Sequence, residues 1–351
     1  MTIRLRRMRA VTFQDLEQVR VEDKPEPELV ARDDAIVAVE ASAVCGSDLH
    51  IYHGRVPVEA GFTIGHEFVG TVTAVGEDVE RVAVGDRVVG CFHTACATCT
   101  PCLRGDYHRC ANGQTFGHGS HLGNLQGSQA EQVLVPRANL TLRAVPESLS
   151  SDVALFAGDV LGTGFHAIAH GGMQPGDTVA VLGLGPVGLC AVQAALAGGA
   201  VQVFAIDTVE ERLALAGEFG ATPIHLTEEE PKRVVRAATG GAGVDLAVDA
   251  VGNPEPLALA ISLARDAGTV SGIGAYSGRA EIPLGLAWLK GLDLRLGVAN
   301  VIAHVDRVLG LLEAGKLDPA PLVSHHMPLD DAAEAYAMFD RREALKIVFT
   351  P

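Results

Sequence analysis

The chain of 351 residues is 20% charged and 48% hydrophobic, the composition of an ordinary globular protein and enough length for two domains. Its formal net charge of −16 would be repelled by phosphate backbones and anionic lipid, which argues against nucleic-acid and membrane partners. No apolar run reaches the roughly 18 residues of a membrane span, and 40 glycines point to many tight turns and close backbone packing.

The first ten residues hold Arg4, Arg6, Arg7 and Arg9 with no apolar core behind them, so they do not form a secretory signal. They read as a solvated or disordered tail, and Met8, which opens a strand-like run at 9–13, is an alternative start to Met1. From about 9 to 147 the chain reads as short valine-rich strands, including 35–39, 67–75, 86–92 and 132–135, separated by Gly, Pro or Asp turns. No long amphipathic helix stands out there.

The pattern changes after Leu155. Strands are predicted at 178–182, 201–206, 244–249, 269–273 and 292–297, with helices at 187–197, 210–219, 231–239 and 255–264 between them. Strand–helix alternation of this kind predicts an α/β, doubly wound parallel sheet. Two further helices, 305–314 and 329–339, precede a closing strand at 344–349. That strand has no place in a completed nucleotide fold and is assigned back to the first domain.

The strand at 178–182 runs into Gly183-Leu184-Gly185-Pro186-Val187-Gly188. The first glycine permits the turn, the second lets a pyrophosphate approach the backbone, and the third lets the helix pack on the strand. The helix N-terminus adds free N–H groups for the phosphates. Asp207 ends the next strand 19 residues after Gly188, where a carboxylate accepts bonds from ribose hydroxyls and repels a 2′-phosphate. Thr208 follows it rather than an arginine, which selects NAD over NADP. Asp207 can also cap the following helix, and the two roles are compatible.

Of seven cysteines, Cys96, Cys99, Cys102 and Cys110 are spaced Cys-x2-Cys-x2-Cys-x7-Cys. Four thiolates at such intervals surround one tetrahedral zinc with no open position, the mark of a structural site. An odd cysteine count in this pattern fits a reducing, cytoplasmic setting rather than a disulfide framework. A second set is dispersed: Cys45 in Cys45-Gly46-Ser47-Asp48-Leu49-His50, His66 with Glu67 after Gly65, and Asp159 after Gly158. One S, one N and one O ligand leave a fourth position for water or substrate, as catalytic zinc requires. Spacing alone does not bring these residues together, and a His beside a Glu is more often ordinary surface or core.

Taken together, these motifs resemble the zinc-containing medium-chain alcohol dehydrogenases, over nearly the whole chain from about Met8 to Phe349. The resemblance implies a GroES-like β-rich domain (residues 1–150 and 300–351) and a Rossmann NAD-binding domain (151–299), with the active site in the cleft between them. It implies Cys45, His66 and Asp159 as catalytic zinc ligands, with Glu67 behind the metal or binding it transiently. Asp48 would orient the ring of His66. Asp159 stands where animal and plant members have cysteine and many bacterial members have aspartate. The formal charge is unchanged, but the ligand is harder.

The same resemblance implies that zinc acidifies an alcohol hydroxyl, that Ser47 takes the proton, and that it passes through the cofactor ribose to His50. Hydride then goes to a nicotinamide held by Thr163 and Val187. Lys346 reads either as a contact to the cofactor phosphates or as an exposed strand lysine. Phe92, His93, Trp288 and Leu289 are candidate pocket residues. The expected function is therefore an NAD-linked, two-zinc alcohol dehydrogenase acting on a small alcohol, aldehyde or ketone. Two other readings are a polyol-, amino-alcohol- or formaldehyde-specific dehydrogenase and a non-catalytic NAD-binding redox sensor. The set Cys45, Ser47, His50, His66 and Asp159 argues against the sensor. A homo-oligomer, dimer or tetramer, is expected through the apolar edge strand at 292–298.

Overall fold

Alternating valine and alanine positions in the first part of the chain build strands with one or both faces buried. The computed structural model describes residues 6–276, 279 and 281–351. Met1 and Arg4, which open the basic arm, lie outside the described residues. From Arg7 on, the arm is not a solvated tail. Arg7 and Arg9 belong to β1 (Arg7–Asp15), which pairs antiparallel with β2 (Gln18–Pro25). Arg9 is held by Glu131 at 2.9 Å and Asp330 at 3.0 Å, partners that a reading of the local sequence does not supply.

The chain continues through β3 (Ala35–Ala43), α1 (Gly46–Tyr52), β4 (Phe68–Val75), β5 (Arg87–Gly90), β6 (Gln132–Val135) and β7 (Leu142–Ala144). A short helix, Ser151–Leu155, leads to the next region. There follow α2 (Val160–Gly171), β8 (Thr178–Leu182), α3 (Pro186–Ala197), β9 (Gln202–Asp207), α4 (Glu210–Glu218) and β10 (Thr222–His225). Next come α5 (Pro231–Ala238), β11 (Val244–Asp249), α6 (Pro254–Leu263), β12 (Ala264–Gly272), α7 (Leu284–Lys290) and β13 (Asp293–Leu296). The last stretch holds α8 (Val301–Glu313), β14 (His325–Pro328), α9 (Ala332–Asp340) and β15 (Ile347–Thr350).

The structure divides into two units, Met1–Asp159 with Asn300–Pro351, and Val160–Ala299. The division falls after Asp159 rather than after residue 150, because the segment from Ser151 to Asp159 packs with the first unit. In that unit a mixed sheet runs β14-β15-β3-β4-β5-β7, with β6 also on β3. The closing strand β15 does return to it, antiparallel to β3 through Val348 and Phe349. Its core gathers Val11, Ile51, Ile64, Tyr336 and Phe349 on one side and Val37, Phe68, Val88, Phe116 and Leu142 on another.

In the second unit all strand pairs are parallel and the order is β10-β9-β8-β11-β12-β13. Two βαβ halves therefore diverge from β8, the arrangement of a dinucleotide-binding Rossmann sheet. The sequence pattern misses α2, whose Gly162, Gly164 and Gly171 lower helix propensity. Gly164 is there for packing: a Cβ would sit 2.6 Å from the backbone N of Ala191 in α3. It also misses the short elements β2, α1, β7, β10, α7 and β14, which lack a clear period.

Candidate active site

The first cluster is assembled in the first unit around the ends of three elements, α1, β4 and β5. Cys45 precedes α1, and its backbone N–H donates to Asp48 Oδ2 at 3.0 Å, so Asp48 closes the first turn of the helix. The other oxygen of Asp48 lies 3.2 Å from Nδ1 of His66. His66 and Glu67 lead directly into β4, after Gly65, where a Cβ would strike Gln129 Cγ at 2.3 Å. Asp159 follows Gly158, whose missing side chain lets it lie against the end of β5: a Cβ there would be 2.1 Å from Gly90 O.

These placements turn Nε2 of His66 toward Asp159 Oδ2 at 3.1 Å and Ser47 Oγ at 3.1 Å, while Cys45 Sγ lies 3.4 Å from Asp159 Oδ2. One ligand atom from each of Cys45, His66, Glu67 and Asp159 falls within 4.8 Å of all the others, and all four residues are buried. Asp48 itself is held by Gln129 at 3.3 Å, whose Oε1 accepts the hydroxyl of Tyr336 at 2.9 Å.

The electrostatics suit a cation. Burial and the charge of Asp159 push the Cys45 thiol up, and burial raises Glu67 despite the charge of Lys346. Burial alone would lower His66, but the charge of Asp48, with bonds from Asp159, Asp48 and Cys45, raises it well above the ordinary histidine value. Asp159 resists its own burial and is lowered by the hydrogen bond and charge of His66. Oε2 of Glu67 is buried without a hydrogen-bond partner. A soft thiol, an imidazole and carboxylates converging in this way fit a divalent zinc ion.

Lys346 departs from both sequence readings. Its side chain is fully buried, pairs with Glu67 Oε1, donates to Val44 O at 3.2 Å, and lies 5.7 Å from the centre of the Phe156 ring. It is the counter-charge of Glu67 and not an exposed lysine. Sequence reasoning also missed Gln129, Tyr336 and His118, the last with its ring 5.1 Å from that of His66. Only the two positive-φ glycines flanking His118, Gly117 and Gly119, signal that the segment is fixed.

In the four-cysteine loop the Sγ distances are 3.4 Å (Cys99–Cys102), 3.9 Å (Cys99–Cys110) and 4.0 Å (Cys96–Cys102). A tetrahedron with Zn–S bonds of about 2.3 Å has edges of about 3.8 Å. Backbone N–H groups of Cys96 and Cys99 already donate to Sγ of Cys110 and Cys96 at 3.2 and 3.3 Å, an environment built for thiolate. None of the seven cysteines, all of them among the described residues, forms a disulfide; Cys91 and Cys190 are buried, and burial pushes Cys91 up to about 12.

The second unit presents the glycine turn at the carboxyl end of β8. Gly183 has φ +84°, and a Cβ would lie 2.3 Å from Val251 Cγ2. On Gly188 it would lie 1.8 Å from Gly183 O, whereas on Gly185 it would meet nothing within 4 Å. The turn is thus packed below and open above, as a phosphate cradle needs. Asp207 accepts from Leu184 N–H at 2.5 Å through one oxygen and from Thr208 and Val209 N–H at 2.7 and 3.1 Å through the other. It serves the start of α4 and the glycine turn together. Val187 sits half-buried in the first turn of α3, and Thr163 half-buried on α2.

Among the remaining expected residues, His50 follows Ser47 by three on α1 and is half-buried, its pKa lowered by burial and by Arg55 and His53. Phe92 stands edge-on to His66 with ring centres 6.4 Å apart, and His93 is buried. Trp288 and Leu289 are exposed on α7, at 80% and 75%.

Two family models match the chain: the alcohol dehydrogenase GroES-like domain over residues 31–147 and the zinc-binding dehydrogenase over residues 186–311. A probable zinc-binding alcohol dehydrogenase of Mycobacterium tuberculosis is 37% identical over 97% of this chain and 88% of its own length. The L-threonine 3-dehydrogenase of Bacillus subtilis is 32% identical over 93% of each chain. In structure, alcohol dehydrogenase TADH from Thermus sp. ATN1 superposes with a TM-score of 0.95 at 46% identity, covering 98% of this chain and 99% of that one. The chain belongs to the zinc-containing medium-chain alcohol dehydrogenase family and is an oxidoreductase of that family. Among the described residues no helix is long and apolar enough to cross a membrane.

Proposed function

We propose that the protein is an NAD-dependent dehydrogenase that interconverts a small alcohol and its aldehyde or ketone, with one catalytic and one structural zinc per chain. The observation that carries this reading is the convergence of Cys45, His66 and Asp159, with Glu67, on one buried point beside Ser47. A zinc ion there supplies Lewis acidity that makes a hydroxyl easier to deprotonate. The chain's own residues do the rest. Asp48 fixes the His66 ring so that Nε2 faces the donor cluster. Ser47 Oγ, 3.1 Å from that nitrogen, is the group placed to take a proton. His50 follows on the same face of α1 and, with its pKa held below the ordinary value, is neutral near pH 7 and able to accept one. Phe92 stands edge-on to His66, and His93 packs against Phe92.

The second unit contributes the hydride carrier's cradle: Gly183, Gly185 and Gly188 for the pyrophosphate, Asp207 for the ribose, and Thr163 and Val187 toward the nicotinamide. The carboxylate of Asp207, with Thr208 beyond it, favours NAD by repelling a 2′-phosphate. Cys96, Cys99, Cys102 and Cys110 hold the structural ion.

The test is a kinetic scan of primary, secondary, polyol and amino alcohols, threonine included, with NAD and NADP in parallel and metal analysis of the same sample. The expected result is NADH formation with at least one simple alcohol, a clear preference for NAD, and two zinc ions per chain. Zinc confined to one site, or no turnover with any member of the panel, would sink the reading.

A further inference from the structure

The strand order of the second unit decides where each half of a dinucleotide goes. β8 lies between β9 and β11. A pyrophosphate on the turn after β8, with its adenosine ribose at Asp207 on the end of β9, extends its second nucleoside toward the carboxyl ends of β11 and β12. Those ends are tied together by one buried carboxylate. Asp249 closes β11 and has no exposed surface. Its Oδ1 accepts from the N–H groups of Val251 at 2.8 Å and Gly252 at 3.2 Å, and its Oδ2 from the hydroxyl of Tyr276 at 2.5 Å. Its backbone carbonyl takes the N–H groups of Ile273 at 2.9 Å and Gly274 at 3.1 Å.

The loops so joined are in backbone contact. A Cβ on Gly252 would lie 2.6 Å from Ala275 N, and one on Gly274 would lie 2.1 Å from Gly252 N. Val251 packs in turn on Gly183 of the phosphate turn. Gly272, opposite Asp249 in the β11–β12 register, leaves room for the phenol: a Cβ there would stand 2.7 Å from the Tyr276 oxygen. Only Tyr276 among these partners is a side chain, and it reaches the carboxylate from a loop outside any regular element. Burial pushes both Asp249 and Tyr276 up, so the shared hydrogen bond sits where water competes poorly.

We infer that Tyr276, acting through Asp249, positions the loops that receive the nicotinamide nucleoside of the cofactor. This rests on the dinucleotide reading above. Tyr276 is a positioning residue: its hydroxyl sets the spacing of the backbone N–H and C=O groups at 250–252 and 273–276, which an amide-bearing ring can meet. Without it one buried carboxylate oxygen lacks a donor, and the loops lose their common anchor.

The experiment compares the wild-type chain with Tyr276→Phe, using NADH, followed by nicotinamide fluorescence, and ADP-ribose, followed by calorimetry. The expected result is a Kd for NADH raised about tenfold, with ADP-ribose binding within about twofold of wild type. KM for NAD should rise similarly while kcat at saturating NAD stays within about twofold. Asp249→Asn, which keeps the shape but weakens the acceptor, should show the same asymmetry between the two ligands. Equal loss for both ligands, or unchanged NADH affinity with a lowered Tm, would assign the pair to folding alone and overturn the inference. A wild-type chain that binds neither ligand would instead overturn the dinucleotide reading, and this inference with it.

Discussion

Glu67 and Lys346 are both fully buried, and each satisfies a charge that the other would leave stranded. Such pairs add little net stability, but removing one partner leaves an uncompensated ion in a low-dielectric surrounding. Lys346→Met should therefore destabilise the first unit by about 3–5 kcal/mol. Chemical denaturation measures this, and the double variant with Glu67→Met should recover most of the loss. An undiminished midpoint in the single variant would show that the pair is dispensable. The sequence could not reveal the pairing, because the two residues are 279 positions apart and a lysine beside a strand ordinarily faces water. Glu67 itself was legible, as the neighbour of His66 within a resembling motif. So was Asp48, though its double duty, closing a helix turn and turning an imidazole, appears only in three dimensions.

At the scale of elements, the four-cysteine loop is the part of the molecule whose spacing spoke most directly. Its thiols need no distant partner, and 15 consecutive residues contain the whole constellation. Cys102→Ser, at the buried corner of the cluster, should lose one metal equivalent and lower Tm by roughly 5–10 °C. Metal analysis beside thermal unfolding checks this; retention of both metal equivalents would show that Cys102 is not a ligand. Five of the six parallel strands, all but β10, were also legible, because buried strands between amphipathic helices announce themselves by period. Helix α2 was not. Its Gly164 admits α3 at close range and its Gly171 admits Leu246 of β11, so local propensity and tertiary packing point in opposite directions. Asp159 sits just ahead of that helix, and its approach to His66 depends on Gly158 lying against Gly90, a contact between residues far apart in sequence.

For the whole molecule, the feature with the broadest reach is the outer strand of the parallel sheet. β13 ends the sheet, and Leu296 and Val298 are exposed beside it, as are Trp288 and Leu289 on α7. An unprotected edge with apolar neighbours is suited to pairing with its own copy about a twofold axis. Light scattering should give a multiple of 36.6 kDa for the native chain, and Trp288→Lys with Leu289→Lys should shift it toward that value with the circular dichroism unchanged. A wild type already at 36.6 kDa would remove this assembly.

The first unit is built from two stretches of chain, whereas the second is one uninterrupted stretch between them. On the ribosome the order of completion follows from that arrangement. The parallel sheet has all its strands available once residue 299 has emerged, and can close while translation continues. The mixed sheet must wait for β15 to join β3, and Glu67 stays without its lysine until the same late moment. The unit that gathers the metal-type donors is thus begun before the parallel sheet and completed after it.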